Sequence, residues 1–144
     1  MWDPYHQAYI NASEAVQNRA ARFVKKDFRR TSSVSSMLQN LNWRRLEERR
    51  LGARLTLLYK AYQGSARIDI SKFLPDPSTR RYTRQNSSVS FTRPRPSKDC
   101  YKYSFLPRTV AQWNALPPVI RDSQFFRNGL NSVNLLDMIG GALH

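Results

Sequence analysis

Residues 42–64, NWRRLEERRLGARLTLLYKAYQG, carry apolar side chains on two sides of one helix. Leu51, Leu55, Leu58, Tyr59 and Tyr62 recur at helical spacing on one face, and Leu46, Ala53, Leu57 and Ala61 lie nearly opposite. A helix apolar on two sides is sandwiched, so this segment is expected to be the central element. Asn42 is expected to cap its start, and Gly64 to end it as a left-handed C-terminal glycine. The implied fold class is mostly α. It is a small helical bundle around this long central helix, followed by a mobile basic linker and then by a short strand and short helix that dock back.

The flanking segments fill in that plan. Asp3 and Pro4 read as a capping carboxylate and first-turn proline, opening a helix that runs to about Lys26. Tyr9, Ala12, Val16, Ala20, Phe23 and Val24 form a narrow stripe suited to packing on another helix. The hydroxyls of Thr31, Ser32 and Ser33 mark a break, followed by a short helix near residues 34–40 with Met37, Leu38 and Leu41 on its apolar face. Ile68, Ile70, Phe73 and Leu74 predict a short hydrophobic hook. Between Ser78 and Lys98 there are six basic residues and no acidic one, so residues 75–98 read as a flexible linker. Four regions follow: a helical basic region 1–74, the linker 75–98, a docking segment 99–130 and a frayed tail 131–144.

The net charge is +14, from 24 Lys and Arg against 10 Asp and Glu. Such an excess favours a polyanionic partner, because each neutralised phosphate releases condensed counterions. Cys100 is the single cysteine, which excludes an intramolecular disulfide. No apolar run approaches the roughly 20 residues of a membrane helix, and residues 1–10 form no secretory signal. The expected location is nuclear or cytoplasmic, with no membrane partner and no secretion.

Catalytic constellations are missing from the sequence. Its histidines are His6 and His144, too few with one cysteine for a closed zinc site without carboxylates. No glycine-rich phosphate loop occurs, and the adjacent pair Glu47-Glu48 sits among arginines as their local partners. The chain is therefore not expected to be an enzyme by itself, nor to need a metal or cofactor.

Three basic clusters remain as candidate contacts to an RNA or DNA phosphate backbone. The first is Arg19, Arg22, Lys25, Lys26, Arg29 and Arg30, with only Glu14 and Asp27 nearby. The second is Arg44, Arg45 and Arg49, continued by Arg50 and Arg54 and interleaved with glutamates. The third is Arg80, Arg81 and Arg84, with Arg93 and Arg95, in the linker. The bland alternative for each is a solvated face. Arg29-Arg30-Thr31-Ser32 also matches a basophilic kinase site, a pattern that arises often by chance.

Residues 101–117, YKYSFLPRTVAQWNALP, concentrate aromatics beside Lys102 and Arg108, which join the candidate contacts. Residues 101–105 alternate as a strand does, and Pro107 is expected to start a helix through Ala115 that Pro117 and Pro118 stop. Trp113 reads as a core anchor docking back onto the N-terminal helices, with a base-stacking platform as the alternative.

Three stretches in order carry a resemblance: WDPYHQAYI with EAVQNRAARFV, then MLQNLNWRRLEERRLGARLTLLYK, then YKYSFLPRTVAQWNALP. Together they resemble the segment that follows the reverse transcriptase domain in jockey-type non-LTR retrotransposon polyproteins. The resemblance covers about residues 2–118, with the linker as its variable part, and does not extend to 131–144. It implies a role beside, or an origin in, RNA-directed DNA polymerisation. The polymerase's aromatic-x-Asp-Asp motif and the endonuclease's carboxylates and histidines are absent, so no catalytic residue carries over. Met1 directly before the Trp-Asp-Pro motif reads as a start inside a truncated element. The expected function is that of a non-catalytic C-terminal part of a retroelement reverse transcriptase. It would hold nucleic-acid backbone near an upstream polymerase domain. The alternatives are an autonomous basic RNA- or DNA-binding protein and a non-functional relic.

Overall fold

In a computed structural model of the chain, the residues described are 3–74, 90–93, 95, 98–121, 126 and 135. Among them are six α-helices: α1 (Gln7–Lys25), α2 (Val34–Asn40), α3 (Leu46–Tyr62), α4 (Asp99–Lys102), α5 (Phe105–Ala115) and α6 (Pro118–Arg121). A single 3-10 turn covers Ser71–Phe73, and no strand occurs among the described residues. The fold is mostly α. The chain divides within α3 into two compact units, Met1–Leu51 and Gly52–His144.

In the first unit, α1 begins at Gln7, later than the Asp3-Pro4 pair implied. Its N-cap is His6, whose side chain caps nothing. Pro4 is buried while Tyr5 and His6 are exposed, and none of the three is helical. The buried side of α1 carries Ile10, Gln17 and Ala21. The expected stripe lies roughly a third of a turn away from it and faces solvent. Val16 is 57% exposed, Phe23 74% and Tyr9 65%. Polar demand chooses the inward face. The first N–H groups of α3 lack intrahelical acceptors, and α1 supplies them. Gln17 Oε1 accepts from Leu46 N at 3.1 Å, Glu14 Oε1 accepts from Glu47 N at 2.8 Å, and Gln17 Nε2 donates to Arg44 O at 2.9 Å.

Asn42 therefore does not cap α3. It occupies the left-handed position (φ 54°) that closes α2. Asn42 N donates to Gln39 O at 2.9 Å and Trp43 N to Leu38 O at 2.8 Å, the paired bonds of a Schellman stop. Lys26 (φ 51°) ends α1 in the same way, its N bonded to Phe23 O and Asp27 N to Arg22 O, both at 3.1 Å. Between these stops, Ser33 caps α2 by accepting from Ser36 N. The unit's apolar cluster is Ala21, Met37 and Leu38, with Val34 and Leu41 packed on it. Each large side chain buried there is worth about 1.5–3 kcal/mol against exposure.

In the second unit, the α3 residues Leu55 and Leu58 are fully buried and Ala61 nearly so, while Ala53 and Tyr62 are exposed. Gly64 (φ 75°) ends the helix as expected: its N donates to Ala61 O and Ser65 N to Lys60 O. The hook is a 3-10 turn with Ile70 and Phe73 buried, and Asp69 Oδ1 accepts from Ser71 N at 2.9 Å.

The expected strand at 101–105 is instead α4 followed by the start of α5. A lone strand would leave its backbone unpaired. Here Lys102 N and Tyr101 N bond Lys98 O, and Ser104 Oγ donates to Tyr101 O at 2.7 Å. Pro107 sits in the first turn of α5, where its missing N–H has no role. Leu116 is extended (ψ 144°) before Pro117, which stops the helix as predicted.

Four rings gather about Trp113, itself 1% exposed. Tyr59 and Phe126 stack at 4.7 Å, Trp113 lies 4.9 Å from Phe126 and 5.5 Å from Phe91, and Tyr62 meets Phe91 edge-on at 5.8 Å. Trp113 is a core anchor, and α5 docks on the C-terminal half of α3. Two pieces depart from the expected linker and tail. Phe91 is buried, and the Asn114 side chain takes both its backbone groups: Oδ1 accepts from Phe91 N at 3.1 Å and Nδ2 donates to Phe91 O at 2.8 Å. Thr92 N donates to Phe73 O at 2.7 Å. Leu135, in the segment expected to fray, is helical and 1% exposed. Apart from residues 90, 93, 95 and 98, the rest of 75–98 and 131–144 lies outside the described residues.

Candidate nucleic-acid interface

The first basic cluster divides by what each side chain touches. Arg19 stands on the outer face of α1 and Lys25 in its last turn, and Lys26 and Arg30 are exposed beyond it. No acidic side chain pairs with these four among the described residues. Arg22 has a structural task. Its Nη1 donates to Arg29 O at 2.7 Å and its Nη2 to Ser32 O at 3.3 Å, tying down the loop between α1 and α2.

Arg29 is paired with Asp27, Nε to Oδ1 at 3.2 Å. Asp27 is the hub of this loop. It accepts from the Arg29 guanidinium, from Ser32 Oγ at 2.7 Å and from Arg29 N at 3.1 Å. These bonds, the Arg29 side chain's first, hold its carboxyl well below the usual aspartate range, and they raise Arg29 further. Ser32, the acceptor of the kinase-like motif, has its hydroxyl committed to Asp27.

In the second cluster, Arg44 is half-buried and bridges to Glu48 at 3.3 Å, one helical turn on. Arg45 and Arg49 are exposed and carry no such pair among the described residues. Arg54 does not belong to any surface. It is 2% exposed, and its Nε donates to the buried Gln112 Oε1 at 3.3 Å. Helical spacing placed it with the arginines, but it falls on the buried side of α3.

The third cluster cannot be placed, because Arg80, Arg81 and Arg84 lie outside the described residues; Arg93 and Arg95 are exposed. In the second unit Lys102 rests over the Tyr103 ring at 4.9 Å, and Arg108 is half-buried on α5. Tyr101 is exposed, whereas Trp113 is withdrawn into the core, so the aromatic stretch offers no row of open rings.

One feature escaped the sequence reading. Trp43 is 37% exposed and lines a groove of about 370 Å³ with Ser35, Leu38, Gln39, Asn42, Arg44, Arg45 and Glu48. The available signal was an aromatic directly before two arginines, the interleaving that strand-binding surfaces use.

Among the described residues no group of three or more His, Cys, Asp or Glu side chains converges as a metal site, and no helix is long and apolar enough to cross a membrane. No protein-family model, curated protein or solved structure matches the chain.

Proposed function

We propose that the chain is a non-catalytic, backbone-holding segment from the C-terminal part of a retroelement reverse transcriptase. The observation that carries the reading is the open cationic surface of the first unit. Arg19, Lys25, Lys26, Arg30, Arg45 and Arg49 are exposed, while Asp27, Glu48 and Glu14 are engaged by Arg29, Arg44 and the α3 backbone and Glu47 is half-buried. Charges held open in this way suit phosphate oxygens, which fix position without reading bases. The order and spacing of the three sequence stretches support the retroelement origin. The exposed α1 stripe of Tyr9, Val16 and Phe23 supports attachment to a larger body, such as an upstream polymerase domain. Such a segment would work in the nucleus or cytoplasm, beside template RNA, nascent duplex or target DNA.

The test is binding of the chain to a structured RNA and to a DNA duplex across a salt series. Saturable one-to-one binding is expected, with the logarithm of affinity falling linearly on the logarithm of salt and several counterions released. Stoichiometry-free aggregation by a poorly helical chain would overturn the reading.

A further inference from the structure

We infer that the groove beside Trp43 takes one unpaired nucleotide of a single-stranded nucleic acid. The inference rests on the backbone-holding reading and adds to it a place for a base.

The groove is built by chain geometry, not by side-chain accident. The Schellman stop of α2 turns the chain at Asn42, in the left-handed conformation, and delivers Trp43 by the bond from its N to Leu38 O. Residues in these two positions of the motif commonly make an apolar contact, and here Trp43 and Leu38 line the same groove. Leu38 is buried and belongs to the apolar cluster, so one wall is fixed by the core. On the other side α3 starts at Leu46, held in place by Gln17 and Glu14.

The lining suits a nucleotide part by part. The Trp43 ring, one-third open, supplies a face on which any base can stack. Gln39 and Asn42 supply side-chain amides, and Ser35 a hydroxyl, for the polar edge of the base. Arg45, exposed and lining the groove, supplies the charge for the phosphate. Arg44 is pinned to Glu48 at 3.3 Å, which removes one negative charge from the phosphate's surroundings. A volume of about 370 Å³ lies at the small end of ligand sites, fitting one nucleotide rather than a duplex edge. A base paired and stacked within a duplex could not enter, so the site distinguishes strands from helices.

The experiment compares labelled 12-mers of single-stranded RNA, single-stranded DNA and blunt DNA duplex, binding to the whole chain by fluorescence anisotropy at one salt concentration. Trp43→Leu keeps the apolar contact but removes the stacking face. It is expected to weaken single-strand binding about tenfold, the effect of one lost base stack, and to change duplex binding less than twofold. Trp43→Phe should recover most of the loss, with both variants as helical as the parent by circular dichroism. The single strand that loses more, RNA or DNA, names the source of the nucleotide. Equal weakening of strand and duplex, or no weakening of either, overturns the groove assignment and leaves the backbone reading standing. If the unmodified chain binds none of the three, the backbone reading fails and the groove fails with it.

Discussion

A single glutamine organises the first unit. Gln17 is buried on α1, yet its amide oxygen takes a free N–H of α3 and its amide nitrogen takes Arg44 O. Gln17→Ala would leave both backbone groups without that partner, which costs about 1–3 kcal/mol for each buried group left unsatisfied. Both bonds are only part-buried, so the expected total is a destabilisation of about 2 kcal/mol by urea melting, the low end for two groups, whereas an effect below about 0.5 kcal/mol would show that water replaces the amide. Asp27 makes a second prediction by titration. Its folded-state pKa lies below the unfolded value near 3.9, so its hold on the loop is present above that value. The hold is lost as pH falls through the lowered folded pKa. A carbon-13 titration of the Asp27 carboxyl should find no inflection near 3.9, and an ordinary inflection there would contradict the hydrogen-bonded hub. Neither role was legible in the sequence. Asp27 was visible only as a nearby acid, and Gln17 not at all, because both act on backbone groups that no sequence pattern displays.

At the scale of elements, the positions of helices were legible and their faces less so. The ends of α2, α3 and α5 follow from Ser33, Gly64 and Pro117, whose backbone preferences are local. The orientation of α1 did not follow. Its most apolar stripe faces solvent, since the alternative face carries Glu14 and Gln17, which α3 requires. Asn42 was assigned to the wrong helix for a related reason: the same residue type serves N-caps and left-handed C-terminal stops. The alternation at 101–105 was a weak strand signal without any partner strand.

The helix stops yield a third prediction. Lys26 holds φ 51°, a conformation that costs an L-residue roughly 1–2 kcal/mol. Lys26→Gly should raise stability by about 1 kcal/mol, read by thermal or urea melting, offset in part by greater freedom when unfolded. A clear loss of stability would mean that the Lys26 side chain supports the α1 terminus. Within α3, Gly52 offers a similar gain. A Cβ there meets Leu135 Cδ1 at 3.7 Å, an ordinary contact, so Gly52→Ala should stabilise the helix by about 1 kcal/mol. A loss instead would mean that Leu135 packs too closely to yield.

For the whole molecule, charge was the most legible property and its disposition the least. The excess of 24 basic over 10 acidic residues is the feature on which the proposed polyanionic partner rests. Which cations stay available depended on side-chain geometry. Arg54 is buried against Gln112, Arg22 clamps a loop, and Arg29 and Arg44 are paired with acids. Arg19, Arg30, Arg45 and Arg49 remain open to solvent. On the proposed function, these open charges touch phosphates.

The most direct test is the salt slope of duplex DNA binding, compared between the unmodified chain and one carrying Arg19→Gln, Arg30→Gln, Arg45→Gln and Arg49→Gln. If each arginine neutralises a phosphate, the slope should shrink by about 0.9 per residue removed, or roughly 3 to 4 in all, with helicity unchanged. An unchanged slope in a fully helical variant would contradict the claim.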